Sequence, residues 1–595
     1  MKRATALLLM CLSYPYSPLI YAAQDAQTNI TSASNKTVIQ KSDWWKNAVI
    51  YQAYIRSFKD SNGDGVGDIK GLIQKLDYLQ SLGVNGLWIS PHYDSPNVDN
   101  GYDVRDYKKI NKELGTMHDF NILVAELKKR NMFLTIDVVV NHTSDQNIWF
   151  KKSRLSRNSP YRNFYFWHDP VNNKEPNNYQ SIFSGSAWEL DKKTDQYYLH
   201  YFSKNQPDLN WDNPNVRSEI YSMLEFWLNK GVSGLRFDSI VTISKIPGFP
   251  DLTPEEMKNY AGAYTHGPKV HEYIHDMYTN VFSKYDVVTF GEMMAASPED
   301  IPLYYDPARQ ELNASMHMGL VYFDRNDSVF WQSYPFQLTK YRAEISTMYR
   351  SVGANGWNTF FLSNHDVPHA LSHLGDDNSQ YSTDSAKALA TLLLTQQATP
   401  IIYQGDEIGM TNFPFSDISQ FREISAIKLW NNMVLTGKYT KDEYMYYARK
   451  VARDNARTPF QWDTSKNAGF STGTPWIAVN PNYINVNVQN NLSDPNSIYH
   501  YYQQLIRVRR AIPALVTGKF TDLNPSSDQI YAYTRTLGRI TYLIVINFTE
   551  NTLTYKLPGK SAILHQVIQS KGAKAHFMDR EIQLQPWQSG IYRLR

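Results

Sequence analysis

The sequence predicts an α/β protein: a (β/α)8 TIM barrel with an inserted subdomain after its third strand, followed by a C-terminal antiparallel β domain. Three observations predict it. From Trp44 onward helical periods alternate with short apolar runs, the pattern of right-handed β-α-β units on a parallel sheet. Residues 142–211 lose that rhythm and are dense in Asn, Tyr, Ser and Asp. After residue 518 the pattern changes to period-2 strands.

The first element is an export signal over residues 1–22. Lys2 and Arg3 supply a positive end, residues 4–12 an apolar run too short to span a bilayer, and Ala22-Ala23 a small-residue cleavage site. A polar leader follows over 23–42. The single cysteine, Cys11, lies inside the signal, so the mature chain is expected to lack disulfides and to depend on a large core. The barrel is assigned to 43–517. Residues 69–82 place Leu72, Leu76 and Leu79 on one helical face, Gly83 stops that helix, and an apolar strand follows over 84–89. Phe120, Leu123, Val124 and Leu127 form a second face before the strand 133–140. Pro214 opens a third helix with Ile220, Met223, Leu224, Trp227 and Leu228 inward. Gly231 ends it, and Gly234-Leu235-Arg236-Phe237-Asp238 reads as the next strand. No G-x-G-x-x-G turn follows any of these strands, which argues against a doubly wound sheet. The stretch 142–211 is the insert, and strands at 530–536, 541–548, 552–557 and 591–594 make the closing β domain, 518–595.

The chain has 595 residues, 20% charged and 42% hydrophobic, ordinary for a soluble globular protein. Lys plus Arg is 60 against 57 acids, too balanced for a nucleic-acid binder, and nothing suggests a membrane partner. With 42 Tyr and 14 Trp, it carries large stacking surfaces that suit ring-shaped ligands such as sugars, core packing being the alternative use.

Active sites of such barrels lie at the carboxyl ends of the strands. Asp238 ends the strand that starts at Gly234, Glu292 ends the run 287–291, and Asp366, beside His365, ends the run 359–364. A charge there costs desolvation energy unless it is paired or used. Two carboxylates can divide glycoside cleavage, one attacking the anomeric carbon and the other protonating the leaving oxygen, while a third stabilises the oxocarbenium-like transition state. Arg236, two residues before Asp238, shares its strand face and is expected to keep that carboxylate ionised.

These residues resemble a family. Asp137-Val138-Val139-Val140-Asn141-His142, Gly234-Leu235-Arg236-Phe237-Asp238, Gly291-Glu292 and Ser363-Asn364-His365-Asp366 are similar, in order, to the four strand-end motifs of the alpha-amylase superfamily of glycoside hydrolases. Gln206-Pro207-Asp208-Leu209-Asn210 resembles a further motif typical of its oligo-1,6-glucosidase branch. The resemblance implies Asp238 as nucleophile, Glu292 as acid/base and Asp366 as transition-state stabiliser. It also implies Asp103, His142, Arg236 and His365 around the first glucosyl ring, and retention through a covalent β-glucosyl ester. Within the branch, Pro91-His92-Tyr93-Asp94-Ser95-Pro96-Asn97 and Lys245-Ile246-Pro247-Gly248-Phe249-Pro250 look most like exported sucrose isomerases, which make isomaltulose and trehalulose.

The chain departs from that group on the acceptor side. The isomerases' Glu-Ile-Phe reads Glu292-Met293-Met294, and a second clamp phenylalanine aligns with Met318. Their Arg-x-Asp-Arg loop reads Tyr322-Phe323-Asp324-Arg325, an arginine becomes His369, and Ile182 and Ser184 stand for Phe and Gly. Met294, Met318, Tyr322 and Arg325 are therefore expected to line the acceptor side. Methionine fills the space of phenylalanine without its flat rigid face, and fork-shaped donors for fructose hydroxyls are lost. Two readings stay open: an isomerase of sucrose, or an exported α-glucosidase hydrolysing isomaltulose, trehalulose, isomaltose or sucrose. Arg453 and Arg457 resemble a family stretch that approaches the outer subsite, with surface pairing as the alternative.

A second site reads independently. Asp60-Ser61-Asn62-Gly63-Asp64-Gly65-Val66-Gly67-Asp68 places oxygen donors at alternate positions around glycine turns, which suits a hard cation such as Ca2+. Gly71 at position twelve argues against an EF-hand, and a metal-free Asx-turn loop is the other reading. The resemblance supports structural Ca2+ held by Asp60, Asn62, Asp64, the Val66 carbonyl and Asp68. A signal peptide implies a periplasmic or secreted protein, and nothing in the sequence argues for more than a monomer acting on a small-molecule disaccharide.

Overall fold

The computed structural model describes residues 43–326, 329–353, 355–378, 380–571, 577–578 and 580–595. The expected signal peptide and leader lie outside them. Eight parallel strands form the centre: β1 Ile50–Ala53, β2 Gly86–Ile89, β3 Phe133–Val139, β4 Gly234–Asp238, β5 Val288–Glu292, β6 Ala314–Met316, β7 Thr359–Phe360 and β8 Thr399–Tyr403. Hydrogen-bonded neighbours run β6-β5-β4-β3-β2-β1-β8-β7, and a parallel bridge from Ser315 to Asn358 joins the two ends. The sheet closes into the expected barrel. Helices cover its outer face, so every residue of β1, β2, β4 and β5 is buried, which is why the charged Arg236, Asp238 and Glu292 stand out in otherwise largely apolar strands.

The helices follow their sequence signals, with one correction. Residues 69–82 are two helices, Ile69–Gln74 and Leu76–Leu82. Lys75 leaves the helical conformation at φ −110°, and its ammonium lies 4.1 Å from the Trp462 ring. Leu72, Leu76 and Leu79 are buried as expected. Met117–Lys129 starts on a capping box between Thr116 and Asp119 and buries Phe120, Leu123 and Leu127, with Val124 partly buried. Pro214–Leu228 is capped by the Asn213 side chain, with proline at its first position. Gly231 turns out of it at φ +97°, where a β-carbon would stand 2.9 Å from Val124.

The insert is more regular than its polar composition suggests. It holds a short helix, Ile148–Ser153, and a three-stranded antiparallel sheet of Trp167–His168, Gln196–Leu199 and Trp188–Asp191. Its strands are too short for period 2 to show. Tyr179, Trp188, Tyr201 and Phe202 form its core together with Leu252 and Tyr264 from beyond β4, and Tyr201 stacks on Tyr264 at 4.1 Å. At the C-terminal end, a five-stranded sheet orders Lys519–Asp522, Ile530–Leu537, Ile540–Asn547, Ser589–Leu594 and Ile563–Gln569 side by side. A three-stranded sheet of Leu553–Lys556, Glu581–Leu584 and Phe577–Met578 accompanies it, all antiparallel. Among the described residues no helix is long and apolar enough to cross a membrane.

Candidate active site

Three of the strand ends converge on one guanidinium. Arg236 on β4 is 1% exposed and stands opposite Asp137 of β3 in the parallel register. Its Nη1 donates to Asp137 at 2.7 Å and to Asp238 at 3.0 Å, and its Nη2 pairs with Glu292 at the end of β5 at 2.9 Å. Ser239, directly after Asp238, adopts φ +43°, and its backbone N–H donates to Glu292 Oε2 at 2.9 Å. The strand expected over 359–364 ends at Phe360, so Asp366 lies in a loop beyond β7. There its Oδ1 receives Arg457 at 2.6 Å and Arg453 at 3.3 Å, while Oδ2 faces His365 Nε2 at 3.1 Å.

These surroundings separate the acids electrostatically. Burial holds the Asp238 carboxyl well above the ordinary range, against the pull of Arg236, with Glu292, Asp137 and Asp366 adding like-charge repulsion. Arg236 favours the ionised form of Asp238 as expected, but this one cation is shared among three carboxylates, Asp137, Asp238 and Glu292. Burial also pushes against ionisation of Asp366, yet His365, Arg453 and Arg457 hold it well below the usual range. The site thus offers one firmly ionised carboxylate, Asp366, beside Asp238, whose carboxyl has a raised affinity for a proton.

The residues expected around the first sugar ring gather at the same mouth. Asp103 is buried and accepts from the Ser95 hydroxyl at 3.0 Å and the backbone N–H groups of Val98 and Asp99 at 3.0 and 2.9 Å; burial raises its carboxyl to about 6. His365 has Nδ1 2.8 Å from the Gln52 amide and Nε2 bonded to the Tyr102 hydroxyl, with the Tyr102 and Tyr54 rings nearly parallel to it. His142 Nε2 lies 3.2 Å from both the Tyr102 carbonyl and the Gln206 amide, and burial lowers the imidazole to about 3, so it is neutral.

The expected acceptor residues separate into two groups. Met294 packs against the aromatic cluster of the insert, one member of which, Phe202, contacts the His142 ring at 5.1 Å. Met318 is 3% exposed and belongs to the main core. Arg325 is buried 5.7 Å from the Tyr322 ring, and burial raises the Tyr322 hydroxyl, with Asp366 and Glu292 near enough to add to it. Sequence reasoning passed over several partners. Asp137 shares Arg236, Asp99 receives Gln206 and Arg453, and Glu423 grips Arg453 at 2.6 Å. Arg453 also lies over the Phe183 ring at 5.1 Å. Asp137 carried a signal, an acid inside an apolar run; the others sit in loops without periodicity.

The Asp60–Asp68 loop stands apart from this mouth. Asp60 accepts from the backbone N–H groups of Asn62, Gly63 and Gly65 at 2.9, 2.7 and 2.8 Å and from the Ser471 hydroxyl at 2.6 Å. Asp68 accepts from Ser61 and Gly71, while Asn62 and Asp64 receive the Asp64 and Val66 amides. Gly65, at φ +93°, is packed so closely that a β-carbon would meet the Thr474 carbonyl. Among the described residues no three His, Cys, Asp or Glu side chains converge as a metal-holding group. The donor chemistry, all hard oxygen, fits Ca2+.

The catalytic-domain model of alpha amylase matches residues 52–518. The chain is 47% identical over 562 residues to an oligo-1,6-glucosidase of Parageobacillus thermoglucosidasius, covering 93% of this chain and 99% of that one. Among solved structures it is similar to the isomaltulose synthase SmuA from Protaminobacter rubrum, at 54% identity and TM-score 0.91, over 93% of this chain and 100% of that one. It is also similar to the trehalulose synthase MutB from Pseudomonas mesoacidophila MX-45, at 52% identity and TM-score 0.92 over the same shares. A MutB mutant was solved in complex with the substrate sucrose. With a barrel closed by β7 and β6, three carboxylates at its mouth and these relatives, the chain belongs to the alpha-amylase family.

Proposed function

We propose that the protein is a retaining α-glucosyl-transferring enzyme that takes sucrose and isomerises it to isomaltulose or trehalulose. The observation that carries the reading is the Arg236 fork holding Asp238 and Glu292 together at 3.0 and 2.9 Å. Arg236 bonds both carboxyls and the residue after Asp238 donates its N–H to Glu292, so nucleophile and acid/base are held side by side, as a retaining double displacement needs. Asp238 Oδ attacks the anomeric carbon as the bond to the fructosyl oxygen breaks, and the Glu292 carboxyl gives that oxygen its proton. A different fructose hydroxyl then attacks the glucosyl ester, Glu292 takes the hydroxyl proton, and Asp238 leaves as carboxylate. The Asp366 carboxylate, held ionised, faces the positive charge that develops in both steps. Asp103, His142 and His365 orient the glucosyl ring.

The second reading is an exported α-glucosidase that hydrolyses isomaltulose, trehalulose, isomaltose or sucrose. It is favoured by the 47% identity to an oligo-1,6-glucosidase and by Met294, a flexible side chain packed against the aromatic cluster of the insert. Isomerisation requires fructose to turn and attack before water does, so a looser wall favours hydrolysis. Incubating the purified protein with sucrose and separating the sugars by chromatography decides between them. Isomaltulose or trehalulose in excess over free glucose supports isomerisation; glucose and fructose, or cleavage of isomaltulose alone, supports hydrolysis. We also propose that the protein acts as an exported monomer, periplasmic or secreted, on the strength of residues 1–22. We further propose that the loop donors of Asp60, Asn62, Asp64, Val66 and Asp68 bind a structural Ca2+.

A further inference from the structure

Lys245 lies in the segment after β4 and takes no part in the chemistry above. Its side chain is 2% exposed, and all three of its hydrogens are engaged: Asp208 at 2.6 Å, Asn141 Oδ1 at 2.7 Å and the Thr242 carbonyl at 2.8 Å. Its ammonium sits 4.0 Å from the Tyr201 ring. Three pieces of chain meet there. Asn141 follows β3. Asp208 belongs to the returning end of the insert, bridged through its backbone to His142 and accepting the Tyr201 N–H at 3.2 Å. Thr242 belongs to the turn that follows the nucleophile, and its hydroxyl donates to the Ser239 carbonyl at 2.8 Å and contacts Asn141 Oδ1 at 3.0 Å.

We propose that Lys245 is a positioning residue: by tying the end of β3 and the insert to the 239–245 turn, it holds the left-handed Ser239 so that its N–H fixes the Glu292 carboxyl over the glycosidic oxygen. A non-glycine residue at φ +43° is strained and persists only where surrounding contacts over-determine it. The contacts that do so here run from Lys245 through Thr242 to Ser239, and from Ser239 to Glu292. A buried ion pair adds little net stability over an apolar pair of the same shape, so its effect is one of geometry. Proton delivery is sensitive to small misplacement of the acid, because the donor must stay within hydrogen-bond reach of the leaving oxygen.

This inference rests on glycosidic cleavage by Asp238 and Glu292, and its test separates the two. A sugar leaving group needs the Glu292 proton, whereas p-nitrophenolate departs without one. The double variant Lys245→Met with Asp208→Asn removes both charges together, so that neither ion is left without its counter-charge. Its kcat/KM toward sucrose or isomaltose should fall about tenfold or more, while that toward p-nitrophenyl α-glucoside should stay within about twofold. Thr242→Val, nearly the same shape without the hydroxyl, should show the same selectivity in smaller degree and serves if the double variant does not fold. Equal losses on both substrates, or no loss on either, would overturn the proposal. Wild-type protein inert toward both would overturn the cleavage reading, and the proposal with it.

Discussion

Replacing Arg236 with methionine tests the electrostatic centre of the site. The guanidinium is buried and bonded to Asp137, Asp238 and Glu292 at 2.7, 3.0 and 2.9 Å. Methionine keeps much of the volume and removes the cation that all three share. Removing one partner from a buried ion pair costs about 3–5 kcal/mol, because a charge is left uncompensated. The orphaned carboxyls escape that cost by taking up protons, which raises their folded-state pKa above the unfolded value. Such a group loses stability as pH rises from its unfolded pKa to its folded one, by about 1.4 kcal/mol per pH unit for each proton. The deficit against wild type should therefore be small near pH 5 and reach about 3 kcal/mol or more near pH 8. Urea unfolding of both proteins at the two pH values measures it. A deficit that is equal at the two pH values, or below about 1 kcal/mol at both, would refute the shared-cation account.

Other consequences are open to direct measurement. Asp103 is raised to about 6 by burial and must be ionised to accept sugar hydroxyls, so kcat/KM should fall as pH drops below about 6; in Asp103→Asn that limb should vanish along with most of the affinity. Asp406 and Glu407, after β8, are pushed by burial from 3.8 and 4.5 to about 7 each, so stability should fall as pH rises across that interval, and Asp406→Asn should flatten the slope by about one proton's worth. A melting temperature that does not fall across that interval would exclude their retained protons. If Ca2+ occupies the Asp60–Asp68 loop, chelation should lower the melting temperature reversibly, the loss amounting to about 2.7 kcal/mol where free ion had stood at 100 Kd; Asp60→Asn should abolish that response.

Much of this site was legible because charge at the end of an apolar run is costly and so conspicuous. Asp238 and Glu292 stand at the ends of β4 and β5, and the two-residue period placed Arg236 with Asp238. The same period could not say how many acids share that arginine, since Asp137 lies 99 residues earlier and meets it only through the register of β3 with β4. Asp366 was found on a strand expected to run to Asn364, but Phe361 and Leu362 are apolar and buried without continuing the ladder, and a buried loop reads like a strand. Helix faces were legible from spacing, whereas the break at Lys75 depends on packing against Trp462. The Asp99, Glu423 and Arg453 contacts, like the knot at Lys245, join loops distant in sequence, and no local pattern encodes them. Short strands in the insert, two to four residues long, offered too few alternations to be seen.

The central claim is that Asp238 forms a covalent bond to the glucosyl group. Incubation with 2-deoxy-2-fluoro-α-glucosyl fluoride, followed by proteolysis and mass spectrometry, tests it most directly, because the ring fluorine slows both oxocarbenium-like steps while the fluoride leaving group restores formation of the ester. The account predicts one fluoroglucosyl unit on the peptide that contains Asp238, and none on that peptide in Asp238→Asn. Label on another carboxylate, or turnover undiminished in Asp238→Asn, would contradict it.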